Sequence, residues 1–261
     1  MNQKGPAVTQ VSINPNTWIW GIFVACVSMQ FLLILADYVL NYMDVFGDIN
    51  MRRMWNIARE GSIPTWFSSA QAHMLGATVL LIAVVKAANS SRLITFIWIG
   101  IGLFFLWIGI DDVAEIHERL GAAIRNKLED ISGAESNIPS FAWQAFLAPV
   151  FAAIGLFIAL FLWREFWRKR LVHYLIFGFG LWVVAQIIDY LEGIESIDIY
   201  YLLIQDMLQV ERKYFVTHTM KVIEEEMEML GTTVLWVGFL HYLAAISGGL
   251  HFTFNKDSKS S

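Results

Sequence analysis

The sequence predicts an all-α integral membrane protein with six transmembrane helices in a single domain, and three observations predict it. Apolar residues make up 57% of 261 residues, with 11 Trp, which no ordinary soluble domain carries. Six runs are long enough to cross a hydrocarbon core of about 30 Å, which takes roughly 17–25 residues per helix. Those runs are near-continuously apolar, without the period-two alternation of a membrane barrel.

The spans fall at 17–36, 65–88, 93–110, 145–163, 171–188 and 229–248. Some sixteen mostly polar residues precede the first span and no small-residue cleavage pattern follows it, so it is expected to remain as an anchor. Cys26 lies inside it as an apolar filler, and a single cysteine builds no disulfide framework. The second span begins at "SIPTWFSSAQ" (62–71), where Pro64 suits a helix start and a neighbouring hydroxyl can cap it. The fourth begins at the similar "NIPSFAWQAF" (137–146), and the sixth is entered through "YFVTHTMK" (214–221). Single glycines at 100, 102, 178 and 180 permit close packing of the third and fifth spans. Residues 252–261 form a polar tail.

Six spans place both termini on one side, together with the short connections 89–91 and 164–170. The second of these reads "REFWRKR", and short basic loops stay cytoplasmic. Both termini are therefore expected inside, and a bacterial inner membrane is the expected location. On that topology the inner side holds nine of the 18 Lys and Arg but only two acids, Glu165 and Asp257, of the 23. The overall charge of −5 hides this asymmetry. Aromatic side chains gather in the spans and at their ends, as an interfacial belt does, and no basic patch points to nucleic acid. The outer segments 40–58 and 197–213 carry apolar stripes and are expected to lie on the bilayer surface.

An internal pattern recurs near every 75 residues. The first, third and fifth spans end in "LILADY", "IGIDDV" and "QIIDYL", at Asp37, Asp111 and Asp189. The spans can thus be arranged as three tandem hairpins, each with an outer interfacial helix.

The acidic ends of the odd spans and the starts of the even spans must share one layer. It gathers Asp37, His73, Asp111, Asp112, Glu115, His117, Glu118, Asp189, Glu192, His218, Glu224, Glu225 and Glu228. At about 100° per residue of continuous helix, Asp111, Glu115 and Glu118 share one face and His117 points away from them. So many carboxylates near lipid repel unless cations, protons or water relieve them. A metal centre is the chemistry this favours: oxygen-rich sites with a few imidazoles suit Fe, Mn, Zn or Ca. The expected ligands are Asp111, Glu115, Glu118, Asp189, Glu225, Glu228 and His73, with His73 and His117 as catalytic or proton-transfer groups. The Glu-x-x-His pairing of di-iron bundles is absent, since "EIHE" sets His117 two residues after Glu115.

Ser69-x3-His73 followed by membrane-boundary aspartates resembles, over those few residues, the alkaline ceramidase and adiponectin-receptor superfamily of zinc-dependent membrane amidases. That family's closing pair of histidines four apart has no counterpart among His218, His241 and His251, and its seventh span is absent.

Three functions fit. The first is a metal-dependent membrane oxidoreductase or hydrolase acting on a lipidic or hydrophobic substrate. The second is a non-catalytic subunit or assembly factor with protein partners in a larger membrane complex. The third is a cation transporter or channel component, for which the spans offer few polar groups beyond Gln30, Thr95, Gln186 and His241.

Overall fold

An apolar run in lipid can satisfy its backbone groups only from within, so it forms a helix. In the computed structural model, which describes residues 8–12, 14–132, 148–192, 206–207, 213–247 and 251–255, six helices are long and apolar enough to cross a membrane. After strand β1 (Val8–Ser12) come α1 (Pro15–Ala36), continued by a π-helical turn over Asp37–Tyr42, and the short α2 (Ile49–Trp55). Then follow α3 (Ile63–Ala87), α4 (Arg92–Ala114), α5 (Ile116–Ser132) and α6 (Ala148–Trp167). Helices α7 (Val172–Glu192) and α8 (Lys213–Ser247) and strand β2 (His251–Asn255) complete the chain. The protein is an all-α membrane protein, and the candidate spans are α1 with its extension, α3, α4, α6, α7 and α8.

Helix starts follow local chemistry. Asn14 Oδ1 accepts from Asn16 N at 3.0 Å ahead of Pro15. Ser62 Oγ accepts from Thr65 N at 3.3 Å, with Pro64 in the first turn where a missing N–H costs nothing. The related entry at Pro139 lies outside the described residues. Helix α8 begins at Lys213, well before the span expected from Met229, so the acids at 224–228 sit within one continuous helix.

The two strands pair antiparallel, from Val8 with Asn255 to Ser12 with His251. This joins the two ends of the chain on one side of the bundle, as an even number of spans requires. Residues 252–255, expected in a polar tail, are thus part of a ribbon.

Helix α8 organises the bundle, packing against α1, α3 and α7, while α3 and α4 form the most extensive pair. The two most extensive pairs are consecutive helices, α3 with α4 and α7 with α8, and α8 also joins α3 and α1. Close approach is where glycine matters. A Cβ on Gly178 of α7 would meet Leu235 Cγ at 2.5 Å, and one on Gly231 of α8 would meet Gly178 O at 2.9 Å. Gly100 and Gly180 face open space.

The core between α3, α4, α6 and α8 is aromatic: Tyr242 stacks on Phe166 at 4.9 Å and on Trp98 at 5.3 Å. A part-buried ion pair lies against it. Lys86 Nζ is 2.7 Å from Glu165 Oε2, and Tyr242 Oη donates to the same oxygen at 2.5 Å. Glu165, expected in a basic surface loop, is instead turned inward because α6 runs on to Trp167. On the outer faces, Phe31, Leu81, Val84, Phe96 and Leu160 are exposed, as contact with a lipid bilayer requires. The segment from Met43 to Ile49 exposes Met43, Val45, Phe46 and Ile49 beside the π-helical turn.

Candidate functional site

Each acidic span end has a basic partner. Asp37, fully buried, lies 2.6 Å from His218 Nε2 through Oδ2, and its Oδ1 accepts from Asn41 Nδ2 at 2.9 Å and Ile57 N at 3.0 Å. The π-helical turn supplies Asp37, Tyr38, Asn41 and Tyr42 together, and such turns recur at functional sites. Tyr42 stacks on the His218 ring at 5.2 Å and Tyr38 meets it edge-on at 5.5 Å. Tyr38 Oη also hydrogen-bonds Thr219 Oγ1 at 2.9 Å. Together these contacts fasten the end of α1 to α8.

Asp111 holds His117. Its Oδ2 accepts from His117 Nδ1 at 2.6 Å and its Oδ1 from His117 N at 2.9 Å. Continuous helical geometry would send His117 elsewhere, and the correction has a local cause. Glu115 is left-handed, at φ 53° and ψ 35°, so α4 ends there and the helical phase is broken before α5 begins. Asp111 and Glu115 therefore do not share a helical face. Glu115 pairs with Arg119 at 3.5 Å, while the side chain of Glu118 lies outside the described residues.

Asp189 faces Lys221. The ammonium is 2.7 Å from Glu224 Oε1 and 3.9 Å from both Asp189 Oδ1 and Glu225 Oε1. Glu228 Oε1, one turn beyond, accepts from Gln186 Nε2 at 3.0 Å. Asp112 of α4 is near enough to Glu225 and Glu228 for their charges to interact, and His117 to Glu228. Two buried carboxylate oxygens here, Asp112 Oδ2 and Glu224 Oε2, have no hydrogen-bond partner among the described residues.

His73 stays apart from this group. Its Nδ1 donates to Ser69 O at 2.7 Å, and Ser69 Oγ donates to Gly109 O at 2.5 Å. The ring lies where a Cβ on Gly109 would be, which makes His73 a packing element between α3 and α4. Of the expected ligands, Asp111 is held by His117, Glu115 by Arg119, Asp189 and Glu225 by Lys221, Glu228 by Gln186 and His73 by Ser69. Among the described residues no three His, Cys, Asp or Glu side chains are placed so as to hold a metal ion.

Residues 19–243 match the family described as a domain of unknown function, DUF8692. The chain belongs to that family. No curated protein and no solved structure matches it.

The contribution of Lys221, and the Asp37–His218 contact across 181 positions of sequence, follow from no spacing in the sequence. The one available signal was "THTMK" (217–221), which places a histidine and a lysine one turn apart at the entry to a span otherwise rich in acids.

Proposed function

We propose that the protein is an integral membrane enzyme that uses a metal ion at the carboxylate face between α4, α7 and α8, on a lipidic or hydrophobic substrate. The observation that carries this reading is the Asp111–His117 pair set beside carboxylates that outnumber their described cations. Asp189, Glu224 and Glu225 share Lys221, with Glu228, Asp112 and His117 close by. Unneutralised carboxylates in a half-buried site attract a cation. Asp112, Glu225 and Glu228 interact through their charges without converging on one point, so as the ligands this reading assigns they would have to close on the ion, with Fe, Mn, Zn or Ca as the candidates. Bound there, the metal would polarise water, dioxygen or a substrate oxygen. His117, steered by Asp111, would move the proton, since a carboxylate on Nδ1 fixes the tautomer and leaves Nε2 to act. With the short basic connections on the cytoplasmic side, the termini would lie inside and this face on the opposite side.

Metal analysis of the purified full chain tests the reading. Wild type should retain about one equivalent or more, and Glu225→Gln with Glu228→Gln should lose most of it. Less than about a tenth of an equivalent in folded wild type would overturn it.

A second reading, a subunit of a larger membrane complex, is favoured by the exposed run Met43, Val45 and Phe46 at the same end. A stable partner that co-purifies and is lost on Val45→Ser with Phe46→Ser would favour it over the enzyme.

A further inference from the structure

Two buried amides meet between α1, α3 and α8, away from the carboxylate face. Gln30 and Gln71 are 0% and 3% exposed. Their Nε2 atoms donate to one hydroxyl, Thr233 Oγ1, at 2.9 and 2.7 Å. Thr233 in turn donates to Met229 O at 3.0 Å. A hydroxyl has one proton and two lone pairs, so Thr233 can only accept from both amides. That fixes each amide with its NH2 towards Thr233 and its Oε1 turned away. Both Oε1 atoms are buried and accept no hydrogen bond from the described residues. The Cys26 thiol lies beside Gln71. Buried carbonyl acceptors in folded proteins are nearly always satisfied.

We propose that Gln30 Oε1 and Gln71 Oε1 form a binding site for an internal water molecule. The occupant must donate hydrogen bonds, be small enough for a packed interior, and be neutral. A cation would need more oxygens than two, and the Thr233 lone pairs are already used. Water meets these demands, as it does in polar cavities of other folded proteins. Its hydrogen bonds would lock α1 against α3 in rotation. Gln30 and Asp37, seven residues apart, both face inward from α1, so the same lock helps to aim Asp37 at His218.

Radiolytic labelling of the full chain in nanodiscs, with water carrying a heavy oxygen isotope, tests this. Radicals made at a bound water oxidise the side chains that touch it, and sulfur is the most readily oxidised. Cys26 and Met229 are the buried reporters, and exposed Met43 is the control. Isotope should enter Cys26 or Met229 in wild type and be lost in Gln30→Leu/Gln71→Leu, with Met43 unchanged. Gln71→Met replaces the double variant if that fails to fold. The proposal is overturned if both buried sulfurs stay unlabelled while Met43 reacts, or if their labelling persists in the variants.

Discussion

Asp111 and His117 are joined by two hydrogen bonds, 2.6 Å to the ring and 2.9 Å to the backbone N–H, across a helix break at Glu115. One carboxylate thereby ends α4, starts α5 and orients an imidazole. Asp111→Asn retains one acceptor and should cost about 1–3 kcal/mol, the usual penalty for disturbing a charged buried hydrogen bond. Thermal unfolding in detergent measures it, and a midpoint equal to wild type would rule out the anchoring role.

Glu115 offers the opposite outcome. Left-handed backbone costs an L-residue roughly 1–2 kcal/mol, whereas glycine adopts it freely. The Arg119 contact is largely exposed and adds little. Glu115→Gly should therefore raise stability by about 1 kcal/mol, and Glu115→Val should lower it. A glycine variant that melts below wild type would contradict this.

Asp37 should be the most sensitive carboxylate. It takes donors from His218, Asn41 and Ile57 while fully buried. Asp37→Ala removes the acceptor these three donors share and should cost about 3–5 kcal/mol, more than Glu115→Gln by a wide margin. Equal melting of the two variants would remove Asp37 from its role as the tie between α1 and α8.

Lys86 and Glu165 should behave as a coupled pair. Removing Lys86 strands the buried Glu165 carboxylate, at about 3–5 kcal/mol, whereas removing both partners is often close to neutral. Lys86→Met and Glu165→Leu should each destabilise, and the double variant should recover most of the loss. Additive effects in that cycle would refute the coupling.

Glycine positions give a paired control. Gly178→Ala drives a methyl into Leu235 and should cost about 1–3 kcal/mol. Gly180→Ala, two residues on, meets open space and should be neutral or stabilising.

Much of the fold is legible in the sequence because length and apolarity alone decide whether a segment spans. The Ser62–Pro64 entry and the shared layer of acidic span ends follow from local patterns. The pairings within that layer do not. His218 meets Asp37, and Glu165 meets Lys86, through tertiary packing that no spacing encodes. Glu115 defeats periodicity more directly: one residue with positive φ redirects every side chain after it, so His117 trades places with Glu115 as the partner of Asp111. Gln30 and Gln71 read as isolated polar residues until a third helix supplies Thr233.

The length of α8 sets where its acids stand. Its 35 residues, at about 1.5 Å each, extend roughly 52 Å, against a hydrocarbon core of about 30 Å. Its last turns end level with the basic connections, so the surplus projects from the other leaflet and carries Lys221, Glu224, Glu225 and Glu228 to headgroup height. A helix of this length can carry that row of charge without setting it in the middle of the oil.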